Sequence, residues 1–130
     1  MNRDTISLFA LAAAAASANS SDQNNVDALG VEVVVDLTAV GGTTPTCVVT
    51  IEGKDPISGK YYTLLASASL TAVGTTVLTV FPGVTVSANT AASRPLPRTW
   101  RVKTTIGGTT PTFTGTIAAC LIGGSGAGLA

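Results

Sequence analysis

Hydrophobic and polar residues alternate with a period of two along much of this chain. Between positions 31 and 37, valine or leucine occupies every odd position, while Glu32 and Asp36 fall on even ones. Successive side chains of a β-strand point to opposite faces, so this period predicts a strand with one buried and one hydrated face. The same spacing recurs at the odd positions from 47 to 51, which predicts a second strand with its own inward row.

Turn-forming residues separate several further strands. The segment DPISG at 55–59 is typical of a type I turn closed by a glycine of positive φ, and it predicts a hairpin. Runs rich in β-forming residues predict strands at 61–68 and 76–81. The two closely spaced prolines that end the segment 84–97 exclude a central strand there and predict a loop or an edge crossing.

The only tryptophan of the chain lies in a predicted strand at 98–106. Trp100, Val102 and Ile106 face inward in this pattern, and a core anchor is the favoured role of the tryptophan. A carbohydrate-stacking platform is the alternative. That alternative has only two further aromatic candidates, Tyr61 and Tyr62.

One six-residue motif occurs twice. The letters GGTTPT stand at 41–46 and again at 107–112, each followed by a strand-like run. The repetition predicts one hairpin design used twice, although it does not extend to the strands that enter the two turns. Both cysteines are expected to be small buried hydrophobes. Cys120 falls on the opposite face of its strand from the inward row, which argues against a disulfide to Cys47.

The first 18 residues are apolar and rich in alanine. They resemble a secretory signal, but Arg3 is cancelled by Asp4, which leaves no positive n-region. A helix is predicted over 2–18, apolar nearly all round, that packs either on its own domain or on another chain. The polar run 19–25 is predicted to act as a hinge. The predicted organisation is an arm and hinge at 1–25, a β domain at 26–122 and a glycine-rich tail at 123–130.

Composition narrows the possible functions. Charged residues make up 11% of the chain, less than half the usual share of about 25%, which indicates a surface that becomes covered. The formal net charge is zero, so no nucleic-acid partner is predicted. All seven acidic residues precede Pro56 and five of the seven basic residues follow it. This separation either steers assembly or is cancelled where distant strands interleave.

Candidate chemistry is sparse. The chain has no histidine, and the spacing of its two cysteines fits no zinc or redox motif. No nucleophile motif is present, so we predict no catalytic residue, no metal, no cofactor and no enzyme activity. Glu52 and Asp55 could bind calcium at a hairpin mouth, but a hydrated turn is the favoured interpretation.

Several turn and strand motifs resemble those of a known class of proteins. They are GKDP at 53–56, SGKYY at 58–62, GTTVL at 74–78, FPG at 81–83 and LPRTWRV at 96–102. With these motifs the chain resembles small virion structural proteins of tailed bacteriophages over roughly residues 30–122. The resemblance implies assembly in the cytoplasm of a bacterial host and a place on the capsid or in the head-to-tail region.

These observations together predict an antiparallel β-sandwich or jelly-roll of about six to eight strands with an N-terminal helical arm. The predicted function is a capsid decoration or cement protein that binds the major capsid protein or other virion proteins. We expect a homo-oligomer, with a trimer favoured, and no membrane partner. The alternatives are a neck, tail or spike-base component and a secreted carbohydrate-binding module. The candidate interface residues are Ile6, Leu8, Phe9, Leu11, Arg94, Arg98, Arg101 and Lys103.

Overall fold

Strands account for 69% of the residues that the structure describes, and no helix occurs among them. The structure is a computed structural model that describes residues 5–124, without the side chains of residues 5–7, 9 and 124. Its eight strands are β1 (Thr5–Ala14), β2 (Ala18–Asn19), β3 (Gln23–Asn24), β4 (Ala28–Lys54), β5 (Tyr61–Ala66), β6 (Gly74–Val80), β7 (Ala91–Ala92) and β8 (Thr99–Gly124).

Two long strands organise the sheet. β4 has 27 residues and β8 has 26, and they pair antiparallel along nearly their whole length. The strand order is β1-β8-β4-β6-β7, with β2 and β3 also paired to β8 and β5 paired to β4. The short β6–β7 pair is parallel, so the sheet is mixed, whereas the sequence predicts an antiparallel one. The all-β class and the strand number are confirmed.

The two GGTTPT motifs form no hairpins, so the prediction of one hairpin used twice is wrong. Each motif instead lies inside a long strand, and the two motifs pair with each other, with Thr43 opposite Thr109. Their backbones match, since Gly42 and Gly108 have φ of 104° and 109° and the threonines two positions later have φ of 47° and 46°. A side chain at either glycine would collide with the carbonyl oxygen of the opposite motif. The turn residues therefore shift the register of two paired strands at the point where their backbones approach closely.

The predicted period-two alternation is confirmed in the core. Val31, Val33 and Val35 of β4 are fully buried, and they belong to one hydrophobic cluster that both halves of β4 and of β8 supply. Trp100 is also fully buried, which confirms its role as a core anchor. Ile106, predicted to face inward, is only partly buried, and Thr104 is the fully buried residue near it.

The N-terminal helix is absent, so the prediction of a helical arm is wrong. Residues 5–14 form β1, which pairs antiparallel with the second half of β8. Alanine exceeds other residues in helix propensity by only tenths of a kilocalorie per mole, and an isolated helix of this length is marginal in water. The hydrogen-bonding edge of β8 therefore decides the conformation. Leu11 is buried in the core cluster and Leu8 packs against it. Residues 15–18 of the predicted helix are not helical either, and residues 2–4 lie outside the described residues.

The polar run at 19–25 is fastened to the sheet at both ends. Ser20 donates its backbone N–H to the Val102 carbonyl at 2.7 Å, and its Oγ accepts the Val102 N–H at 2.9 Å. Asn25 is buried and donates through Nδ2 to the carbonyls of Ala28 and Leu96, at 2.8 and 3.1 Å. These bonds satisfy the buried polar groups of this segment. The role of residues 19–25 as a hinge stays a prediction.

The predicted turn at 55–59 is confirmed. The N–H of Ile57 donates to Asp55 Oδ1 at 2.8 Å, the Asp55 N–H donates to the Lys60 carbonyl at 2.8 Å, and Gly59 has a φ of 75°. The connection at 84–97 is irregular except for β7. In the predicted tail, Gly123 and Gly124 complete β8, and residues 125–130 lie outside the described part of the chain.

Candidate functional site

The densest group of interacting polar side chains surrounds Tyr61 at the start of β5. We call it the Tyr61 cluster; it comprises Asp22, Glu52, Lys54, Tyr61 and Arg101. Backbone pairing aligns its members, because Glu52 lies opposite Arg101 and Lys54 lies opposite Tyr61. The second half of β4 thus carries the cluster between β5 and β8.

Two cations lie over the Tyr61 ring. The guanidinium carbon of Arg101 is 3.4 Å from the ring centroid, and Lys54 Nζ is 5.4 Å from it. Both distances lie within the range of cation–π attraction. Arg101 also donates through Nε to Glu52 Oε1 at 2.8 Å, and both side chains are largely buried. The ring, the guanidinium and the carboxylate therefore form one packed unit.

Asp22 ties the segment between β2 and β3 to this unit. The Tyr61 hydroxyl donates to Asp22 Oδ1 at 2.6 Å, and Lys54 Nζ forms an ion pair with Asp22 Oδ2 at 3.0 Å. The Tyr61 hydrogen bond, followed by the Lys54 hydrogen bond, lowers the pKa of Asp22 below its ordinary value, and Asp22 in turn raises the pKa of Lys54. The cluster therefore connects the segment between β2 and β3 to β4 and β5.

The Glu52–Arg101 pair bears on the separation of charge along the chain. One member comes from the acidic half of the sequence and the other from the basic half, and their carboxylate and guanidinium groups are in contact. The interpretation that interleaved strands cancel the separation therefore holds for this pair. Glu52 and Asp55 have different partners, and no group of three or more potential metal ligands occurs among residues 5–124.

The other predicted interface residues are divided among several environments. Arg94 donates through Nη1 to the Thr63 carbonyl at 3.0 Å and lies 5.8 Å from the Tyr62 ring. The Arg98 side chain is exposed, and Lys103 is half-buried opposite Thr50. Leu8 and Leu11 belong to the packing of the core. The side chains of Ile6 and Phe9 lie outside the described ones.

An outward face, which we call the β4 outer face, lies across β8, β4 and β6. Three rows of cross-strand neighbours, each running from β8 through β4 to β6, define it. They are Cys120-Glu32-Thr79, Ala118-Val34-Val77 and Thr116-Asp36-Thr75. Its side chains are small or β-branched apart from the two acids. The sequence predicts the outward residues of β4, but it does not show which strands flank them.

One end of the β4 outer face contains an open cavity. Its volume is about 250 Å³, and Glu32, Cys120, Leu121 and Ile122 line it. The two cysteines are free, which agrees with the expectation that they form no disulfide. Cys47 is buried as predicted, and burial raises the pKa of its thiol to about 11. Cys120 is only half-buried, so its prediction as a buried hydrophobe is wrong.

No protein family, curated protein or solved structure matches this chain. Within the described residues, no helix is long and apolar enough to span a membrane.

Proposed function

We propose that this protein is a structural component of a bacteriophage virion, assembled in the bacterial cytoplasm, and that it acts as a capsid decoration or cement protein. It binds the major capsid protein in many copies, as a homo-oligomer, and stabilises the shell through protein–protein contacts. The motif resemblance at residues 53–102 supports this assignment, as does the low content of charged residues.

The composition of the β4 outer face is the observation that most supports this proposal. Valine, alanine and threonine dominate it, and Val77, at the β6 end of its middle row, is exposed to 43%. Covering apolar surface contributes roughly 25 cal/mol for each square ångström, before the cost of association is subtracted. A surface of this kind supports a role that depends on being covered by another protein.

We also infer that the two halves of the sheet pack as the two layers of a β-sandwich or jelly-roll. The first half of β4 pairs with β6 and the end of β8, and the second half of β4 pairs with β5 and the start of β8. Buried residues of both halves form a single hydrophobic cluster. Two layers that face each other across one core explain this arrangement.

The carbohydrate-binding alternative has little support. Trp100 is fully buried and is therefore not available to stack on a sugar. The Tyr61 ring is already in contact with the guanidinium group of Arg101. Tyr62, which is exposed to 40%, is the remaining aromatic candidate of that proposal.

Co-sedimentation with phage shells tests the proposal. We expect the protein to bind phage shells that were prepared without it. Val77→Asp is expected to abolish this binding while the protein stays folded, because Val77 is exposed. Ile57→Asp is the matched control, since Ile57 is exposed to 93% in the turn between β4 and β5 and does not belong to the β4 outer face. Equal binding by the two variants would reject the role of this face.

Quantitative mass spectrometry of purified particles provides the second measurement. Copies distributed over the whole shell are expected for a decoration protein. A small ring of copies at the portal axis would replace this assignment with a neck, tail or spike-base component. Absence of the protein from purified particles would reject a virion role.

A further inference from the structure

Strand β1 is attached to the rest of the chain at one edge of the sheet. It pairs antiparallel with β8 from Thr5 opposite Cys120 to Ala14 opposite Phe113. No strand pairs with its other edge among the described residues. The side chain of Leu11 in β1 is nevertheless only 4% exposed and belongs to the core cluster. The core is therefore incomplete without β1, although β1 is an edge strand.

The end of β1 is strained, and the chain that follows it is short. The pairing slips between Leu11 and Ala14, and Ala13 adopts a left-handed backbone with a φ of 51°. Such a conformation is unfavourable for a residue that has a Cβ atom. Only residues 15–17, all of them exposed, then separate β1 from β2. Short, strained hinges favour exchange of the element that they carry, because opening the hinge relieves the strain.

The residues after this hinge form hydrogen bonds with other strands of their own chain. Ser17 Oγ accepts the Ile106 N–H at 2.9 Å, and Thr104 Oγ1 accepts the Ala18 N–H at 3.2 Å. The Tyr61 cluster holds Asp22 further along. A conformational change in the N-terminal segment is therefore confined to residues 13–16, and β1 is the element that it would release.

We propose that β1 exchanges between copies of this protein and completes the sheet of a second copy. A departing β1 leaves the backbone of β8 unpaired and removes Leu11 from the core, so the vacant edge must be refilled. The segment that matches it in register and side chains is β1 of another copy. The exchanged contacts are the same as those within one chain, and only the hinge changes, which makes exchange a low-cost route to an oligomer. This inference does not depend on the proposed virion role.

Engineered cysteines distinguish exchange from attachment within one chain. Ala10 and Thr116 lie opposite each other on β1 and β8, and both are exposed, so cysteines at these positions meet the separation that a disulfide requires. Cys120→Ser removes the accessible native thiol, and the buried Cys47 stays unreactive. Two chains are made in this background, one with Ala10→Cys and the other with Thr116→Cys.

The two chains are unfolded, mixed, refolded together and oxidised. Exchange predicts a disulfide-linked heterodimer on a non-reducing gel, because β1 of one chain lies against β8 of the other. The control mixture pairs Ala10→Cys with Ser58→Cys, whose cysteine lies in the exposed turn before β5. A heterodimer band no stronger than in this control overturns the proposal.

Two hinge variants test the stated cause of exchange. Ala13→Gly removes the unfavourable left-handed alanine and is expected to raise the monomer fraction in light scattering. Deleting Ala15 and Ala16 leaves too little chain to join β1 and β2 on the same β8, and we expect loss of the monomer. A deletion variant that remains a folded monomer would contradict the proposal. Shell binding is measured separately, so either proposal can fail alone.

Discussion

Replacing Gly42 by alanine tests the close backbone approach of the two GGTTPT motifs. Gly42 has a φ of 104°, and an added Cβ atom would lie 2.9 Å from the Cα atom of Pro111, besides colliding with the carbonyl oxygen of Thr110. The neighbours are backbone atoms of the opposite strand. Relief therefore requires the two strands to move apart, which weakens the pairing of β4 with β8.

The expected destabilisation has two parts. The left-handed backbone costs an alanine roughly 1–2 kcal/mol, and overpacking against the opposite strand adds roughly 1–3 kcal/mol. The sum of about 2–5 kcal/mol is a large share of the roughly 5–15 kcal/mol by which a domain is usually stable. Gly108 has a φ of 109° and meets the Thr44 carbonyl oxygen in the same way. Gly108→Ala should therefore lower the free energy of unfolding by about the same amount.

Gly83→Ala provides the matched control. Gly83 has a similar φ of 93°, but nothing lies within 4 Å of the position that a Cβ would take, so only the backbone cost of roughly 1–2 kcal/mol applies. Urea unfolding followed by the emission of the single buried Trp100 measures all three variants. Equal losses of unfolding free energy for Gly42→Ala and Gly83→Ala would refute the idea that the close approach of the two strands requires glycine at position 42.

Three further predictions concern other side chains. Arg101→Ala leaves its largely buried carboxylate partner unpaired and should lower the free energy of unfolding by roughly 1–3 kcal/mol, whereas the exposed Arg98→Ala should change it by less than about 0.5 kcal/mol in the same urea titration. The folded-state pKa of Asp22 is lowered from 3.8, so its stabilising contribution is complete above that pH and disappears as pH falls through the lower value. Thermal unfolding between about pH 5 and about pH 2 should show this loss in the wild-type protein and a flatter profile in Asp22→Asn; identical profiles would contradict the assignment. Ellman's reagent should label Cys120 in the folded protein and Cys47 only after denaturation, because burial raises the Cys47 pKa to about 11; rapid labelling of both thiols would argue against this core.

The sequence predicts much of the β domain because its signals there are local. Period-two alternation places Val31, Val33 and Val35 in the core, where the structure has them fully buried. The Asp-Pro-Ile-Ser-Gly turn depends on hydrogen bonds within a few residues, and it forms as predicted. These features need no knowledge of distant strands.

The candidate site was largely outside the reach of such reasoning. The Tyr61 cluster joins residues that are up to 79 positions apart, from Asp22 to Arg101, and no spacing rule connects them. One available signal was the outward position of Arg101 beside the buried Trp100, which indicated an exposed charge but not its partner. The β4 outer face was missed for the same reason, since strand order decides which outward residues become neighbours.

By itself the sequence determined the inward row at 31–37 of β4 and the turn at 55–59, because alternation and turn residues act over a few positions. Only the tertiary structure decided which strands pair. It made a strand of the alanine-rich N-terminus, because the edge of β8 offers hydrogen bonds that outweigh a small helix propensity. It also set the two glycine motifs against each other, because strand pairing is a long-range interaction and turn chemistry encodes a bend but not its partner.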